Sequence, residues 1–244
     1  MTPSNSGSTL SVVIPVFNEE KNIAETLRRV SAYFSLKKFR WEVLVSDDGS
    51  TDTTAEMVRK FANENPQHTV RLVSSSPNHG KGFATRQGML AASGRYILFT
   101  DADLSAPIKE TDKLIQSLEN GADVAIGSRG VHAKDCDVQQ SLKRRFSGRV
   151  FNWLVRALVL PDVRDSQCGF KCFTRETAQK LFSDQKLDGF CFDVEVLYLA
   201  KRAGLKVAEV PVMWSEGRES KIRLVRDSLR MFKDLLLIKK IHAS

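Results

Sequence analysis

Apolar runs alternate with helix-like stretches through the first 130 residues of this 244-residue chain, and this alternation limits the possible folds more than any other feature. Leu10–Val16 is an apolar run of strand length, and apolar residues at positions 23, 27, 30 and 34 then recur at helical spacing. Similar runs follow at Trp41–Val45, Val70–Val73, Tyr96–Phe99 and Val124–Ile126. This rhythm predicts an α/β fold, with a mostly parallel, Rossmann-like sheet that is flanked by helices on both faces.

The second half of the sequence is less regular. Helical periodicity is clear over Asp193–Ala203 and over two longer basic stretches, Val138–Leu160 and Ile222–Ile241. Shorter runs predict strands at Gly169–Phe173 and Lys206–Val210. Because no repeat, low-complexity tract or linker interrupts the chain, we predict a single domain over residues 1–244 with an elaborated C-terminal third.

Composition limits the cellular compartment and the kinds of binding partner that can be expected. No apolar run approaches the ~18 residues that a membrane span needs, and residues 1–9 lack the pattern of a signal peptide. The four cysteines form no Cys-x-x-Cys pair, which argues against structural zinc and favours reduced thiols in the cytoplasm. We therefore expect a cytoplasmic protein that does not cross a membrane. Its net charge of +8 predicts anionic partners: nucleic acid, phosphorylated ligands or an anionic membrane surface.

Short segments that contain polar and acidic residues follow three of the predicted strands. They are Phe17, Asn18 and Glu19, then Asp47 and Asp48, and then Asp101 and Asp103. The carboxyl ends of parallel strands lie at one edge of a sheet, where ligands bind. Two carboxylates at alternate positions, Asp101 and Asp103, suit Mg²⁺, which takes oxygen ligands together with substrate phosphates. A turn in which the Asp side chains accept hydrogen bonds from nearby backbone is the alternative.

A short glycine-containing segment, Asn78–Gly82, precedes a predicted helix. Its glycines permit a close approach of backbone, and Lys81 near a helix N-terminus suits a diphosphate. Gly82 stands where a Walker loop needs Ser or Thr, so the segment is not that motif. A flexible turn without a ligand is the alternative.

Four segments of the first 130 residues resemble, in order and spacing, the family 2 glycosyltransferases, which have the GT-A fold: Val12–Glu19, Ser46–Asp52, Asn78–Gly82 and Asp101–Asp103. Three later segments resemble the dolichyl-phosphate β-glucosyltransferase branch of that family: Asp165–Lys171, Phe192–Glu195 and Ser220-Lys221. Dolichyl-phosphate mannose synthases are close relatives of this branch. Its eukaryotic glucosyltransferases carry an N-terminal membrane helix that is not seen in this sequence, so we expect membrane contact from another segment.

The resemblance implies a nucleotide-sugar-binding half in residues 1–130 and an acceptor-side half in residues 131–244. In this family the first carboxylate of the Asp-Asp-Gly-Ser stretch, here Asp47, contacts the base of the donor. This implies uridine, although an Asp contact could also serve guanine. The resemblance further implies that Asp101 and Asp103 are ligands of Mg²⁺ or Mn²⁺. The residues implied to bind the nucleotide sugar are Pro15, Phe17, Asn18, Glu19, Asp47, Lys81, Asp101 and Ala102.

Basic charge is concentrated in two stretches of the acceptor-side half. Residues 129–156 and 217–240 each carry a net charge of +5, against +8 for the whole chain. A lipid monophosphate has a second pKa of about 6, so it is nucleophilic at neutral pH and needs cations rather than a general base. By resemblance to the mannose synthases, we expect Arg129, Arg144 or Arg145, and Lys221 to bind this phosphate. A solvated helix face is the alternative for each stretch.

Asp193 has three candidate roles. In relatives with sugar hydroxyl acceptors, a carboxylate in this region is the general base. With a phosphate acceptor it could instead orient sugar hydroxyls or Arg side chains, and it could also be a helix N-cap. The catalytic residues implied are Asp103, Arg129 and Asp193.

The C-terminal helix predicted at Ile222–Ile241 is amphipathic and basic. Its apolar stripe consists of Ile222, Val225, Leu229, Phe232 and Leu236, and it is widened by Leu224, Met231, Leu235 and Ile238. Such a helix suits the surface of an anionic membrane. Packing on the chain's own core is the alternative.

These features together predict an inverting, metal-dependent transferase that is peripherally associated with a membrane. It is expected to move glucose from UDP-glucose to a polyprenyl or dolichyl phosphate at the cytoplasmic membrane face. The alternatives are a GDP-mannose-dependent polyprenyl-phosphate mannose synthase and a family 2 transferase that acts on a sugar hydroxyl. Three acidic clusters at the predicted site, and only three Trp and three Tyr residues, argue against a nucleic-acid-binding module.

Overall fold

The computed structural model describes residues 9–129, 138–139, 142–215 and 224–243. The strands in this part of the chain are β1 (Leu10–Val16), β2 (Trp41–Asp47), β3 (Thr69–Ser74), β4 (Tyr96–Thr100), β5 (Val124–Ser128), β6 (Val138–Gln139), β7 (Phe170–Thr174), β8 (Val207–Pro211) and β9 (Trp214–Ser215). The α-helices are α1 (Ile23–Ser35), α2 (Thr54–Glu64), α3 (Lys81–Ala91), α4 (Thr111–Glu119), α5 (Leu142–Leu158), α6 (Arg175–Asp184), α7 (Phe192–Arg202) and α8 (Leu224–Ile241).

One large sheet organises the molecule, with the strand order β3-β2-β1-β4-β7-β5-β8. Its neighbouring strands are parallel, except that β7 runs antiparallel to both β4 and β5. The predicted mostly parallel sheet with flanking helices is therefore confirmed. Because β7 comes from the second half of the sequence and lies between two strands of the first half, both halves build one sheet.

The strands consist of continuous runs of apolar residues because helices cover both faces of the sheet, so that side chains on both faces are buried. In β1, Val12 and Ile14 belong to one buried apolar cluster and Val13 belongs to the other. The first cluster contains side chains of α1, α2 and α4. The second contains side chains of α3, α5, α6, α7 and α8, so the C-terminal helix contributes to the core.

The stretch Val138–Leu160 differs from the single helix that its periodicity predicts. Its first two residues form β6, which pairs in parallel with β9, and α5 begins only at Leu142. Backbone pairing with a strand that is distant in sequence outweighs the local helical preference there. Within the portion of the chain that the structure describes, no helix is both long and apolar enough to span a membrane.

The ends of β1, β2 and β4 meet at one edge of the sheet because these strands are parallel neighbours. Val16, the last residue of β1, is the register partner of Asp47. Thr100, the last residue of β4, is paired with Phe170, the first residue of β7. The loops that follow β1, β2 and β4 therefore lie beside the turn that precedes β7, and this edge holds the candidate site.

Candidate active site

Hydrogen bonds join the loops that follow β1 and β2. Asn18 has a φ of 55°, a left-handed conformation that asparagine tolerates. Its Oδ1 accepts a hydrogen bond from Thr51 N at 2.8 Å, and its own N donates to Ser50 Oγ at 2.9 Å. Asp47 is buried, and its Oδ1 accepts from Ser50 N at 3.1 Å and from the Ser50 hydroxyl. The two loops thus fix one another and hold Asp47 at the edge of the sheet.

The remaining residues of the predicted nucleotide pocket lie on or close to the same edge. Pro15 lies in buried β1, and Phe17, directly after that strand, is 37% exposed. The Glu19 carboxylate accepts a hydrogen bond from Asn22 Nδ2, in the turn that leads into α1. The carbonyl of Ala102 accepts a hydrogen bond from the Thr26 hydroxyl of α1. The sequence therefore placed these residues in the correct region of the fold, and their contact with a nucleotide stays a prediction.

Asp48, next to Asp47, organises the glycine-containing segment before α3. Its Oδ2 accepts hydrogen bonds from Gly80 N at 2.6 Å and from Asn78 Nδ2 at 2.8 Å. Its Oδ1 accepts from His79 N at 3.0 Å. The side chain is buried, so it shapes the loop. In the sequence, Asp48 is only the second of two consecutive aspartates, so its role in shaping the loop could not be distinguished from the role of Asp47.

The glycines of this segment make room for the chain that leads into α7. Gly82 N and Phe83 N donate to Asp188 O, at 2.8 Å and 3.3 Å. A Cβ on Gly80 would lie 2.4 Å from the same carbonyl oxygen, and a Cβ on Gly82 would lie 2.5 Å from Leu187 O. These N–H groups of α3 are therefore engaged by the protein itself. The lysine that begins α3 offers its ammonium group to an anion, and its contact with a diphosphate stays a prediction.

Lys81 reaches the acidic residues that follow β4. Its Nζ lies 2.6 Å from Asp101 Oδ1. Burial opposes the charge of Lys81, but the carboxylates of Asp101, Asp193 and Asp103 outweigh this effect and raise the pKa of the ammonium group. Lys81 is therefore charged at neutral pH and lies where it can meet a ligand of Asp101.

Asp103 is oriented by Ser105. Ser105 N donates to Asp103 Oδ1 at 3.0 Å, and the Ser105 hydroxyl donates to Oδ2 at 2.8 Å. Burial and the nearby Asp101 carboxylate raise the pKa of Asp103. A cation near both carboxylates would relieve this repulsion, and an all-oxygen set suits Mg²⁺ or Mn²⁺. Across the described residues, no group of three or more Asp, Glu, His or Cys side chains could hold a metal ion, so further ligands would come from elsewhere.

Lys171 and Asp193 form a buried ion pair beside this cluster. Lys171 Nζ lies 2.5 Å from Asp193 Oδ1 and donates to Cys168 O at 2.6 Å. Burial raises the pKa of Asp193, although Lys171 and Lys81 offset part of the effect. Asp193 lies in the first turn of α7, whose N-cap is Cys191, so the N-cap interpretation is wrong. The one sequence signal for Lys171 was a lysine within an otherwise apolar strand.

Arg129 is held by Asp165, a partner that its position after β5 did not reveal. Arg129 Nε lies 2.7 Å from Asp165 Oδ2, and Nη2 lies 2.8 Å from Oδ1. Burial opposes both charges, but their pairing raises the pKa of Arg129 and lowers that of Asp165. The Asp101 carboxylate also raises the pKa of Arg129. The guanidinium group therefore belongs to a buried pair on the β5 side of the acidic cluster.

The other residues predicted to bind an acceptor phosphate stay predictions. Arg144 and Arg145 belong to α5, where the structure describes the backbone but not these side chains. Lys221 lies outside the described residues. The described edge thus combines Asp47, Lys81, Asp101 and Asp103 with the Lys171–Asp193 pair, a set that can bind a cation and phosphate groups together.

Comparison with known proteins agrees with this chemistry. Glycosyl transferase family 2 matches residues 11–182. The dolichyl-phosphate β-glucosyltransferase of Dictyostelium discoideum is 34% identical over 241 residues, which are 94% of this chain and 73% of that protein. The Homo sapiens protein of the same name is 36% identical over 241 residues, 94% of this chain and 74% of that protein.

Solved structures support the fold. Glucosyl-3-phosphoglycerate synthase from Mycobacterium tuberculosis, in complex with phosphoglyceric acid, matches with a TM-score of 0.71 and 22% identity over 95% of this chain and 80% of that chain. The same enzyme with Mn²⁺, UDP and glucosyl-3-phosphoglycerate matches with a TM-score of 0.70 and 23% identity over 94% of this chain and 79% of that chain. With its GT-A fold and the acidic edge described above, the chain belongs to glycosyl transferase family 2 and is a glycosyltransferase similar to the dolichyl-phosphate β-glucosyltransferases.

Proposed function

We propose that this glycosyltransferase moves glucose from UDP-glucose to the phosphate of a polyprenyl or dolichyl phosphate. The observation that carries the proposal is the similarity to dolichyl-phosphate β-glucosyltransferases over 94% of the chain. That similarity extends beyond residue 182, where the family match ends, and so includes the acceptor-side half.

The donor is proposed to bind along the edge formed by the ends of β1, β2 and β4. The carboxylate of Asp47 would accept a hydrogen bond from an N–H group of the uracil base. Lys81, already charged and 2.6 Å from Asp101, would meet the diphosphate. Pro15, Phe17, Asn18, Glu19 and Ala102 complete the proposed pocket.

A divalent cation is proposed to accompany the donor. Asp101 and Asp103 would hold Mg²⁺ or Mn²⁺. Burial and repulsion by Asp101 both raise the pKa of Asp103, and a cation there would offset both effects. Such an ion, when bound, offsets the negative charge that develops on the leaving diphosphate.

The reaction is proposed to be a direct displacement. An oxygen of the acceptor phosphate forms a bond to the anomeric carbon of glucose while the bond from that carbon to UDP breaks, and UDP leaves with the electron pair. Attack from the opposite side inverts the configuration and gives a β-linked product. The phosphate needs no base, because its second pKa is about 6. Asp193, paired with Lys171, would therefore orient groups rather than remove a proton.

The acceptor phosphate is proposed to lie among cations of the acceptor-side half. Arg129, which is near enough to Asp101 for that carboxylate to affect its pKa, is the described candidate. Arg144, Arg145 and Lys221 are the further candidates. Because the acceptor is a lipid, we place the reaction at the cytoplasmic face of a membrane, with the protein peripherally associated.

A donor panel tests this function. UDP-glucose and GDP-mannose are each incubated with dolichyl phosphate in detergent and with Mg²⁺ or Mn²⁺, and nucleotide release is measured. We expect release from UDP-glucose that requires the lipid phosphate and the metal and disappears in Asp103→Ala. Release from GDP-mannose alone would reassign the protein as a mannose synthase. No lipid-dependent release from either donor would overturn the proposal.

A further inference from the structure

Exposed apolar side chains are concentrated on two helices, α5 and α8. Of the eight large hydrophobic residues exposed in the described chain, six lie on these helices: Val150, Trp153, Leu229, Phe232, Leu236 and Leu237. Trp153 is 66% exposed and Leu229 is 61% exposed. The two helices pack against each other, so their exposed side chains lie on neighbouring elements.

Helix α8 has both buried and exposed apolar residues. Leu235 and Ile238 are buried in the core. Leu229, Phe232 and Leu236 recur at intervals of three and four residues on an adjoining, exposed side of the helix. The two interpretations of this helix from its sequence are therefore not exclusive, because one face packs on the core and the other is left uncovered by the described chain.

The net charge of these two helices equals that of the whole protein. Helix α5 has five basic and no acidic residues, and α8 has five basic and two acidic residues. Their combined net charge of +8 equals that of the whole chain, so the remaining residues are neutral overall. Among the basic residues of these helices whose side chains the structure describes, Arg156, Arg230, Lys233, Lys239 and Lys240 are exposed. A surface that combines these charges with exposed apolar side chains complements anionic lipid headgroups and the acyl layer below them. It does not suit a second copy of itself, because the two like-charged faces would repel.

Several contacts hold α8 beside the candidate active site. At its C-terminal end, His242 Nε2 lies 2.7 Å from the buried Glu195 of α7, and Lys186 Nζ donates to Ile241 O at 2.7 Å. Nearer its middle, a Cβ on Gly189 would lie 3.5 Å from Asp234 Oδ2. Gly189 belongs to the segment whose Asp188 carbonyl accepts hydrogen bonds from the start of α3, where Lys81 lies. Helix α8 therefore lies close to the candidate active site, and most of its exposed apolar residues are on the side that faces away from Gly189.

We propose that the exposed faces of α5 and α8, named here the α5/α8 surface, bind an anionic lipid bilayer. The apolar side chains enter the boundary between headgroups and acyl chains, and the Lys and Arg residues contact anionic headgroups. The proposal rests on the proposed function in one respect: such binding brings the lipid phosphate acceptor to the active site.

Vesicle sedimentation with the full chain tests the α5/α8 surface directly. The probes are phosphatidylcholine vesicles with and without phosphatidylserine. We expect binding to the anionic vesicles that weakens at high salt, and at least a tenfold loss of binding in a Trp153→Ser/Leu236→Ser variant. Leu36→Ser is the matched control, since Leu36 is 83% exposed at the end of α1, and it should bind as the parent does. Circular dichroism verifies that each variant is folded.

Three outcomes would overturn the proposal. They are no binding to anionic vesicles, equal binding with and without phosphatidylserine, and equal binding by the parent and the Trp153→Ser/Leu236→Ser variant. A dimer in sedimentation equilibrium that these substitutions dissociate would instead assign the surface to a second copy of the chain.

An activity assay separates this proposal from the proposed function. With water-soluble farnesyl phosphate as acceptor, the Trp153→Ser/Leu236→Ser variant should match the parent, whereas with dolichyl phosphate in anionic vesicles its rate should fall at least tenfold. Inactivity of the parent with every acceptor would contradict the proposed function. The vesicle-binding result would still decide the role of the α5/α8 surface.

Discussion

Gly169 lies directly against the carboxylate of Asp101. A Cβ atom at position 169 would be 2.0 Å from Asp101 Oδ2 and 2.6 Å from its Cγ. Asp101 N also donates a hydrogen bond to Gly169 O at 3.2 Å. The turn before β7 therefore leaves the space that the Asp101 side chain occupies, and it couples the acceptor-side half of the chain to the acidic edge.

Gly169→Ala is expected to displace Asp101 and weaken Mn²⁺-dependent UDP binding at least tenfold, which is about 1.4 kcal/mol. The added methyl group cannot share the position of the carboxylate. Isothermal titration calorimetry measures the effect. The control is Gly148→Ala in α5, where no heavy atom of the described chain lies within 4 Å of the added Cβ. Equal UDP binding by the parent and Gly169→Ala would show that the contact with Asp101 does not matter to the site.

Asp103→Asn is expected to weaken Mn²⁺-dependent UDP binding by roughly 10- to 100-fold or more, because it removes a proposed anionic ligand. It also removes the charge of a carboxylate whose pKa is raised by burial and by the nearby Asp101. Calorimetry with and without Mn²⁺ separates the metal contribution. Asp184→Asn, on the exposed end of α6, is the control. If Asp103→Asn kept the full effect of Mn²⁺ on UDP affinity, the metal site would have to be elsewhere.

Lys171→Met is expected to lower the free energy of unfolding by about 3–5 kcal/mol, because it leaves the buried Asp193 carboxylate without its partner. Urea denaturation measures this change. The double variant Lys171→Met/Asp193→Leu removes both charges and should recover much of the loss. If the double variant were less stable than Lys171→Met, the loss would come from core packing and not from an unpaired charge, and this explanation would be refuted.

Asp165 is expected to stabilise the protein in a pH-dependent way. Burial opposes its charge, but the Arg129 pair prevails and lowers its pKa. A carboxyl whose pKa is lowered on folding stabilises the native state above its unfolded value of about 3.9, and this contribution is lost as the pH falls through the folded pKa. The stability difference between the parent and Asp165→Asn should therefore be largest above about pH 5 and should shrink in more acidic solution.

Urea denaturation from pH 3 to pH 7 checks this dependence. Asp162→Asn is the control, because Asp162 forms an exposed pair with Lys201 that should contribute only about 0–1 kcal/mol. A parent-to-Asp165→Asn difference that stays constant over this range would argue that the Arg129 pair does not set the pKa of Asp165.

Local patterns were sufficient to predict the seven strands of the large sheet, but not β6 and β9, and the edge at which the site lies. The continuous apolar run at Val12–Ile14 predicted a strand that is buried on both faces of the sheet. Asp101 and Asp103 follow β4, and because β1, β2 and β4 are parallel, these residues lie at the same edge of the sheet as the end of β2. Lys81 could also be predicted to face this edge, because α3 begins there. These features depend on residues that are close in sequence or on the regular geometry of a parallel sheet.

The partners that complete the site could not be predicted in the same way. Three contacts join residues that are distant in sequence: Arg129 with Asp165, Asp193 with Lys171, and Gly82 with Asp188. Lys171 also belongs to a strand whose direction was not predicted. The antiparallel insertion of β7 between β4 and β5 determines the Gly169 and Lys171 contacts. No local periodicity distinguishes that insertion from a strand at the edge of the sheet.

The central claim is that a phosphate oxygen, and not a hydroxyl group, accepts the sugar. Dolichyl phosphate and dolichol are each incubated with UDP-glucose, Mn²⁺ and either the parent or Asp193→Asn, and the lipid products are identified by mass spectrometry. The account predicts glucosylation of dolichyl phosphate only, with a reduced but measurable rate in Asp193→Asn. Glucosylation of dolichol that disappears in Asp193→Asn would contradict it, because Asp193 would then be the base for a hydroxyl acceptor.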